Sequence, residues 1–132
     1  MNNINDTFFY GYYKQIWKSI IPGELTVKEI DFMVPYFGMT KGSKVLDLMC
    51  GYGRHALALG KKDIEVTAVD NLPDYISEVR EEAMKEGLPV IPVLSDVFEF
   101  STDKLFDLVI CMGNSLNFFD ETETTTLFKK IH

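Results

Sequence analysis

Between Lys44 and His55 an apolar run, Val45-Leu-Asp-Leu-Met49, leads into Cys50-Gly-Tyr-Gly-Arg-His55, and a second apolar run, Val66-Thr-Ala-Val69, ends in Asp70. Strand, glycine turn, helix, strand and acid in that order make a βαβ unit. Its strands pair in parallel through a right-handed crossover. The carboxyl ends of such strands form a cradle for a nucleoside-bearing cofactor. Gly51 and Gly53 suit the turn because glycine reaches positive φ and lets a ligand come close to the backbone. The free N–H groups at the start of the following helix add local positive potential.

The pattern on either side extends this unit. Phe9, Tyr13 (or Tyr12), Ile16 and Ile20 have helical spacing, which predicts a helix over 7–20 that Pro22-Gly23 ends. Thr26-Val-Lys-Glu29 matches a capping box, so a second helix should run from Val27 to about Tyr36, with Pro35 marking its last turn. Strands are expected at 45–49, 65–70, 90–94 and 105–112, and helices at 54–62 and 73–86, with another helix starting near 121. Pro73 opens and Gly87 stops the 73–86 helix. Pro92 places the third strand at a sheet edge. The resulting expectation is an α/β fold with a doubly wound, Rossmann-like parallel sheet of order 3-2-1-4. Its topological switch lies beside the first strand, where the glycine turn sits.

At 132 residues the chain is one domain with an ordinary globular composition, 46% hydrophobic and 25% charged. Its net charge of −7, without a basic block, argues against a nucleic-acid partner. No leader-like N-terminus and no apolar run of roughly 20 residues is present, so a cytoplasmic location and no membrane association are expected. Cys50 and Cys111 lack metal-ligand spacing and read as buried thiols at strand ends; no metal site is expected.

Two nucleoside cofactors compete for the cradle. Gly51-Tyr-Gly53-Arg-His-Ala56 satisfies G-x-G-x-x-A, the dinucleotide pattern of nicotinamide-dependent oxidoreductases. Three features favour S-adenosylmethionine. Asp47 would repel a pyrophosphate but suits the cofactor's amino-acid end. Asp96 offers an acceptor to the adenine amino group, with Val97 against the ring. The segment Phe106–Gly113 ends the fourth strand where the reacting centre belongs. Asp70 can accept from both ribose hydroxyls, with a helix-terminal acid as the plainer role. Arg54 is expected to pair with an acid or with the cofactor carboxylate. His55 shows no partner and reads as structural.

Over about 41–119 these motifs together resemble the class I S-adenosylmethionine-dependent methyltransferases. The resemblance implies that Asp47, Gly51 and Gly53 hold the methionine portion, Asp70 the ribose, and Leu72, Asp96 and Val97 the adenine. Met49 departs from the family's usual first glycine, and Tyr52 from a usual small residue. Ile110-Cys-Met-Gly-Asn-Ser-Leu116 is similar to the corresponding segment of glycine N-methyltransferase and related small-molecule enzymes. That likeness puts Met112 and Gly113 at the cofactor and Asn114 at a polar acceptor or the cofactor carboxylate. An ordinary strand-end turn capped by Asn114 and Ser115 is the alternative.

The aromatics Phe8, Phe9, Tyr10, Tyr12, Tyr13 and Trp17 suggest a lid over a sulfonium, or equally an amphipathic helix packed on the sheet. Asn114 and Tyr13 are the candidate substrate-side residues. Residues 1–40 thus read as an N-terminal helical lid and 41–132 as the cofactor-binding domain. Methyl transfer by in-line displacement from a sulfonium needs alignment and water exclusion more than acid–base groups, and no catalytic side chain is named. The family's usual seven strands exceed the four found here. The expectation is a C-terminally truncated sheet whose open fourth-strand edge pairs copies of the chain. A fragment that binds cofactor without turnover is therefore a further alternative to an active small-molecule methyltransferase.

Overall fold

The computed structural model describes residues 23–112 and 120–131. The helix expected over 7–20 and the aromatic lid with Tyr13 lie outside the described residues, as do Gly113 and Asn114.

Strands β1 (Lys44–Leu48), β2 (Glu65–Asp70), β3 (Val90–Leu94) and β4 (Leu108–Ile110) form one parallel sheet in the order β3-β2-β1-β4. Helices α1 (Gly23–Tyr36), α2 (Arg54–Gly60), α3 (Pro73–Glu86) and α4 (Glu121–Ile131) complete the described chain. Sheet order and edge position of β3 are those the sequence predicts.

The two-residue period of a strand divides the core. Val45, Val66, Ala68, Val90 and Ile110 face α1, α2 and α3, packing on Ile30, Met33, Ala56, Leu59, Val79 and Ala83. The alternate residues Leu46, Leu48 and Val69 face α4 through Leu127 and pack with Val97. Parity then fixes the site. Asp47 lies two residues beyond Val45 and Asp70 two beyond Ala68, so both acids lie on the first face at the carboxyl ends of neighbouring strands.

Several boundaries differ from the sequence reading, each for a local reason. Helix α1 already includes Gly23, so Thr26 and Glu29 lie inside it, where they act on another helix instead of capping their own. A reciprocal cap does form at α4, where Asp120 accepts from the Glu123 N–H (2.7 Å) and Glu123 accepts from the Asp120 N–H (3.2 Å). Helix α2 stops at Gly60 and not Lys62, because the Lys62 and Asp63 N–H groups turn back to Leu59 and Gly60, with Asp63 at φ 60°. Strand β1 ends at Leu48, since Met49 enters a left-handed turn. Strand β4 is three residues long. Leu105 is exposed, and Asp107 pins the strand's entry by accepting the Lys44 N–H on its carboxylate (2.8 Å) while donating its own N–H to the Lys44 carbonyl (2.7 Å).

Gly60 lets α2 pack tightly on β3: a Cβ there would stand 2.8 Å from Val90 Cγ2 and 3.3 Å from Leu88 Cβ. Gly60→Ala should therefore destabilise the chain by about 1–3 kcal/mol through overpacking, despite alanine's better helix propensity. Urea unfolding of the two proteins checks this.

Candidate functional site

The turn after β1 is a run of alternating left-handed residues: Met49 at φ 54°, Gly51 at 62° and Gly53 at 85°. Cys50 donates its N–H to the Val69 carbonyl (2.9 Å), carrying the contact with β2 one step past the strand, and Gly53 donates back to Cys50 (3.2 Å). The two glycines answer different demands. A Cβ on Gly53 would stand 2.7 Å from Val79 Cγ2, so this glycine lets α2 settle against α3. A Cβ on Gly51 would meet nothing within 4 Å, so its side of the turn is open. Met49 takes the left-handed position without glycine's freedom, its side chain packed on the second core cluster.

Asp70 closes the turn onto β2. Its Oδ2 accepts the Gly51 N–H and its Oδ1 the Leu72 N–H, both at 3.0 Å. Burial raises its pKa, and hydrogen bonds from the Leu72, Gly51 and Asn71 backbones pull against that rise. Asp47 is 3% exposed and takes no hydrogen bond from any described residue. Burial, then the neighbouring Asp70 charge, push its carboxyl up to about 8, against the pull of Arg54. The two neighbouring acids are both raised by burial, and backbone N–H groups oppose that rise at Asp70.

Asp96 follows β3, and Ser95 donates its N–H to the Asp70 carbonyl (2.9 Å), which ties the end of β3 to that of β2. One Asp96 carboxylate oxygen accepts the Phe98 N–H (2.7 Å) and its carbonyl accepts from Glu99 and Phe100, so Asp96 shapes its own turn. Leu72 and Val97 are both buried, Val97 within the second core cluster, while Met112 is exposed past the end of β4. Cys50 and Cys111 are free, half-buried thiols. Burial and the two acids raise both, Cys111 to about 12, so neither is a thiolate at neutral pH. Among the described residues no group of His, Cys, Asp and Glu is arranged to hold a metal.

Arg54 pairs with an acid, and its neighbour has a partner the sequence did not reveal. Arg54 Nη1 donates to Glu29 Oε1 (2.8 Å) and Thr26 Oγ1 (3.0 Å), while His55 Nε2 lies 3.3 Å from Glu29 Oε2. Burial tends to raise Glu29, but the hydrogen bonds from Arg54 and His55 outweigh it and hold the carboxyl below its usual range. Burial and the Arg54 charge lower His55 in spite of Glu29, so the ring is neutral at pH 7. Thr26 and Glu29, three residues apart, share one face of α1. That spacing was the available signal, and it serves an interhelix grip as well as a capping box.

The strand ends therefore bring Asp47, Gly51, Gly53, Arg54, Asp70 and Leu72 together, with Asp96 and Val97 on the adjoining loop. A buried carboxyl with no donor among the described residues can accept a hydrogen bond from a cationic group, which favours its ionisation.

Residues 45–132 match a family model described as a methyltransferase domain. The 23S rRNA (uracil(1939)-C(5))-methyltransferase RlmD of Shewanella sp. (strain MR-4) is 34% identical over 82 residues, covering 62% of this chain and 17% of its own length. The ubiquinone biosynthesis O-methyltransferase of Rickettsia felis is 36% identical over 69 residues, 52% of this chain and 28% of its own. The chain thus spans less than a third of either curated relative. The structure of a TehB-like SAM-dependent methyltransferase from Corynebacterium glutamicum superposes with a TM-score of 0.71 at 26% identity, covering 91% of this chain and 63% of its own.

The raised Asp47 carboxyl gives a signed pH dependence. Between its ordinary value near 3.8 and about 8 the unfolded chain ionises this group while the folded chain keeps it protonated, so its contribution to stability falls as pH rises through that window. Ligand-free Asp47→Asn should exceed the parent in stability by at least about 1 kcal/mol at pH 8, with the difference gone below pH 4. Thermal melts across that range measure it.

Proposed function

The chain belongs to the methyltransferase-domain family, and from that footing we propose that it binds S-adenosylmethionine at the glycine turn and passes the methyl group to a small molecule. Family membership sets aside the nicotinamide-oxidoreductase reading. The observation that carries the proposal is Asp47, a buried carboxyl with no described donor, next to a turn whose Gly51 side is open. A cationic amino-acid end supplies what Asp47 lacks, and the space a Cβ would fill at Gly51 admits the ligand. The residues present fit the cofactor.

Asp47 would hold the cofactor's amino group. A carboxylate has about four acceptor sites, so Asp70 keeps capacity for ribose hydroxyls beyond the N–H groups of Gly51 and Leu72. Asp96, with one oxygen engaged by Phe98, has its second oxygen for an adenine amino group, beside Val97 and Leu72. Met112, with Gly113 and Asn114 after it, would border the reacting end, and Tyr13 and Asn114 would face the acceptor. When bound, the sulfonium supplies an electrophilic methyl and a neutral leaving group. The chain's part is alignment and exclusion of water.

A small-molecule acceptor is favoured over RNA by charge. RlmD is named for an rRNA substrate and shares 82 aligned residues with this chain, whereas this chain carries −7 with no basic block to neutralise phosphates.

Calorimetry with S-adenosylhomocysteine tests the cofactor site directly. Binding is expected in the parent, with Asp70→Ala and Asp47→Ala each weakening it about tenfold or more, while NADH does not bind. With labelled S-adenosylmethionine and a cell extract, label should enter a metabolite fraction. Label in total RNA and none in metabolites would overturn the choice of acceptor.

A further inference from the structure

We propose that Glu29, assisted by Thr26, is a positioning residue for the cofactor turn, acting through Arg54 and His55; this rests on the cofactor reading above. Helix α2 opens at the site without the usual support. Its N-cap is Gly53, at φ 85° and with no side chain to cap the free N–H groups. Its first two residues, however, are both gripped from outside, Arg54 at 2.8 Å and His55 at 3.3 Å by the two oxygens of one carboxylate.

The gripping element is itself fixed. Ile30 and Met33, on α1 beside Glu29, are 1% and 4% exposed in the main core. The pair is also shielded, the Arg54 and Glu29 side chains being 20% and 25% exposed, which makes it firmer than a surface ion pair. Its consequence reaches the ligand pocket, because the Arg54 charge acts on Asp47. Where α1 holds Arg54 sets both the geometry of the turn and the field at the acid beneath it.

A plain staple between α1 and α2 would make the same contacts, so the test must read the turn itself. In ligand-free protein, hydrogen exchange is followed at the bonded amides of Gly51, Gly53 and Leu57, with Val66 and Val69 of β2 as internal controls. Calorimetry with S-adenosylhomocysteine runs beside it. Glu29→Ala should speed exchange at the turn and weaken binding, each about tenfold, while the β2 amides stay unchanged. Glu29→Gln keeps both hydrogen bonds, its carbonyl accepting from Arg54 and its amide donating to a neutral His55, and should restore both readouts to within about threefold.

Turn exchange and affinity unmoved in Glu29→Ala would overturn the proposal. So would faster exchange across turn and β2 alike, which is loss of a staple. A parent chain that fails to bind S-adenosylhomocysteine would count against the cofactor reading alone, since the exchange comparison needs no ligand.

Discussion

The carboxylate of Asp70 holds the site together. It ends β2, and its two oxygens take one N–H from the glycine turn and one from Leu72 at the start of α3. Two stretches of chain, the glycine turn and the β2–α3 junction, thus meet on one side chain. Charge-assisted bonds of this kind are roughly twice as strong as neutral ones, and here they oppose the rise that burial gives the carboxyl. With the turn closed, Gly53 can settle under Val79, and α2 and α3 can lie together against the same face of the sheet.

Asp47 shows what the same residue becomes without those donors. It lies on the same face of the next strand, in register with Ala68, two residues short of Asp70. Burial there meets no N–H from a described residue, and the carboxyl is pushed up to about 8. Two carboxyls of one kind thus differ in surroundings, one bonded by backbone N–H groups and the other without a donor among the described residues. The second matters for ligand choice: a group that brings positive charge restores its ionisation, and a group that brings negative charge does not.

Much of this was legible in the sequence, and the reason is periodicity. Apolar runs located the strands, Pro92 assigned β3 to the edge, and the acids at strand ends marked the cradle, because each signal is local. What the sequence did not disclose depended on partners far along the chain. Thr26 and Glu29 satisfy a capping rule by spacing, yet Arg54, on a helix that packs alongside, claims both oxygens. His55 looked solitary for the same reason. Strand β4 read as eight residues of apolar pattern, but Leu105 never joins the sheet and Asp107 fixes its entry through Lys44. The left-handed conformation of Met49 is a case in between. Its place at the family's usual first glycine hinted at it, and only the backbone angle established it.

Met49 has a consequence for how the turn meets a ligand. Holding a side chain at φ 54° costs on the order of 1 kcal/mol, and packing against the second core cluster keeps it there. Glycine in its place would relieve that strain but would roam more widely whenever the turn opened. A methionine leaves fewer conformations to freeze. The segment is thus set before anything arrives, and the entropy that a supple loop surrenders on closing around its guest is here already spent in folding. Such a turn is quick to accept a ligand of one shape and slow to adapt to another.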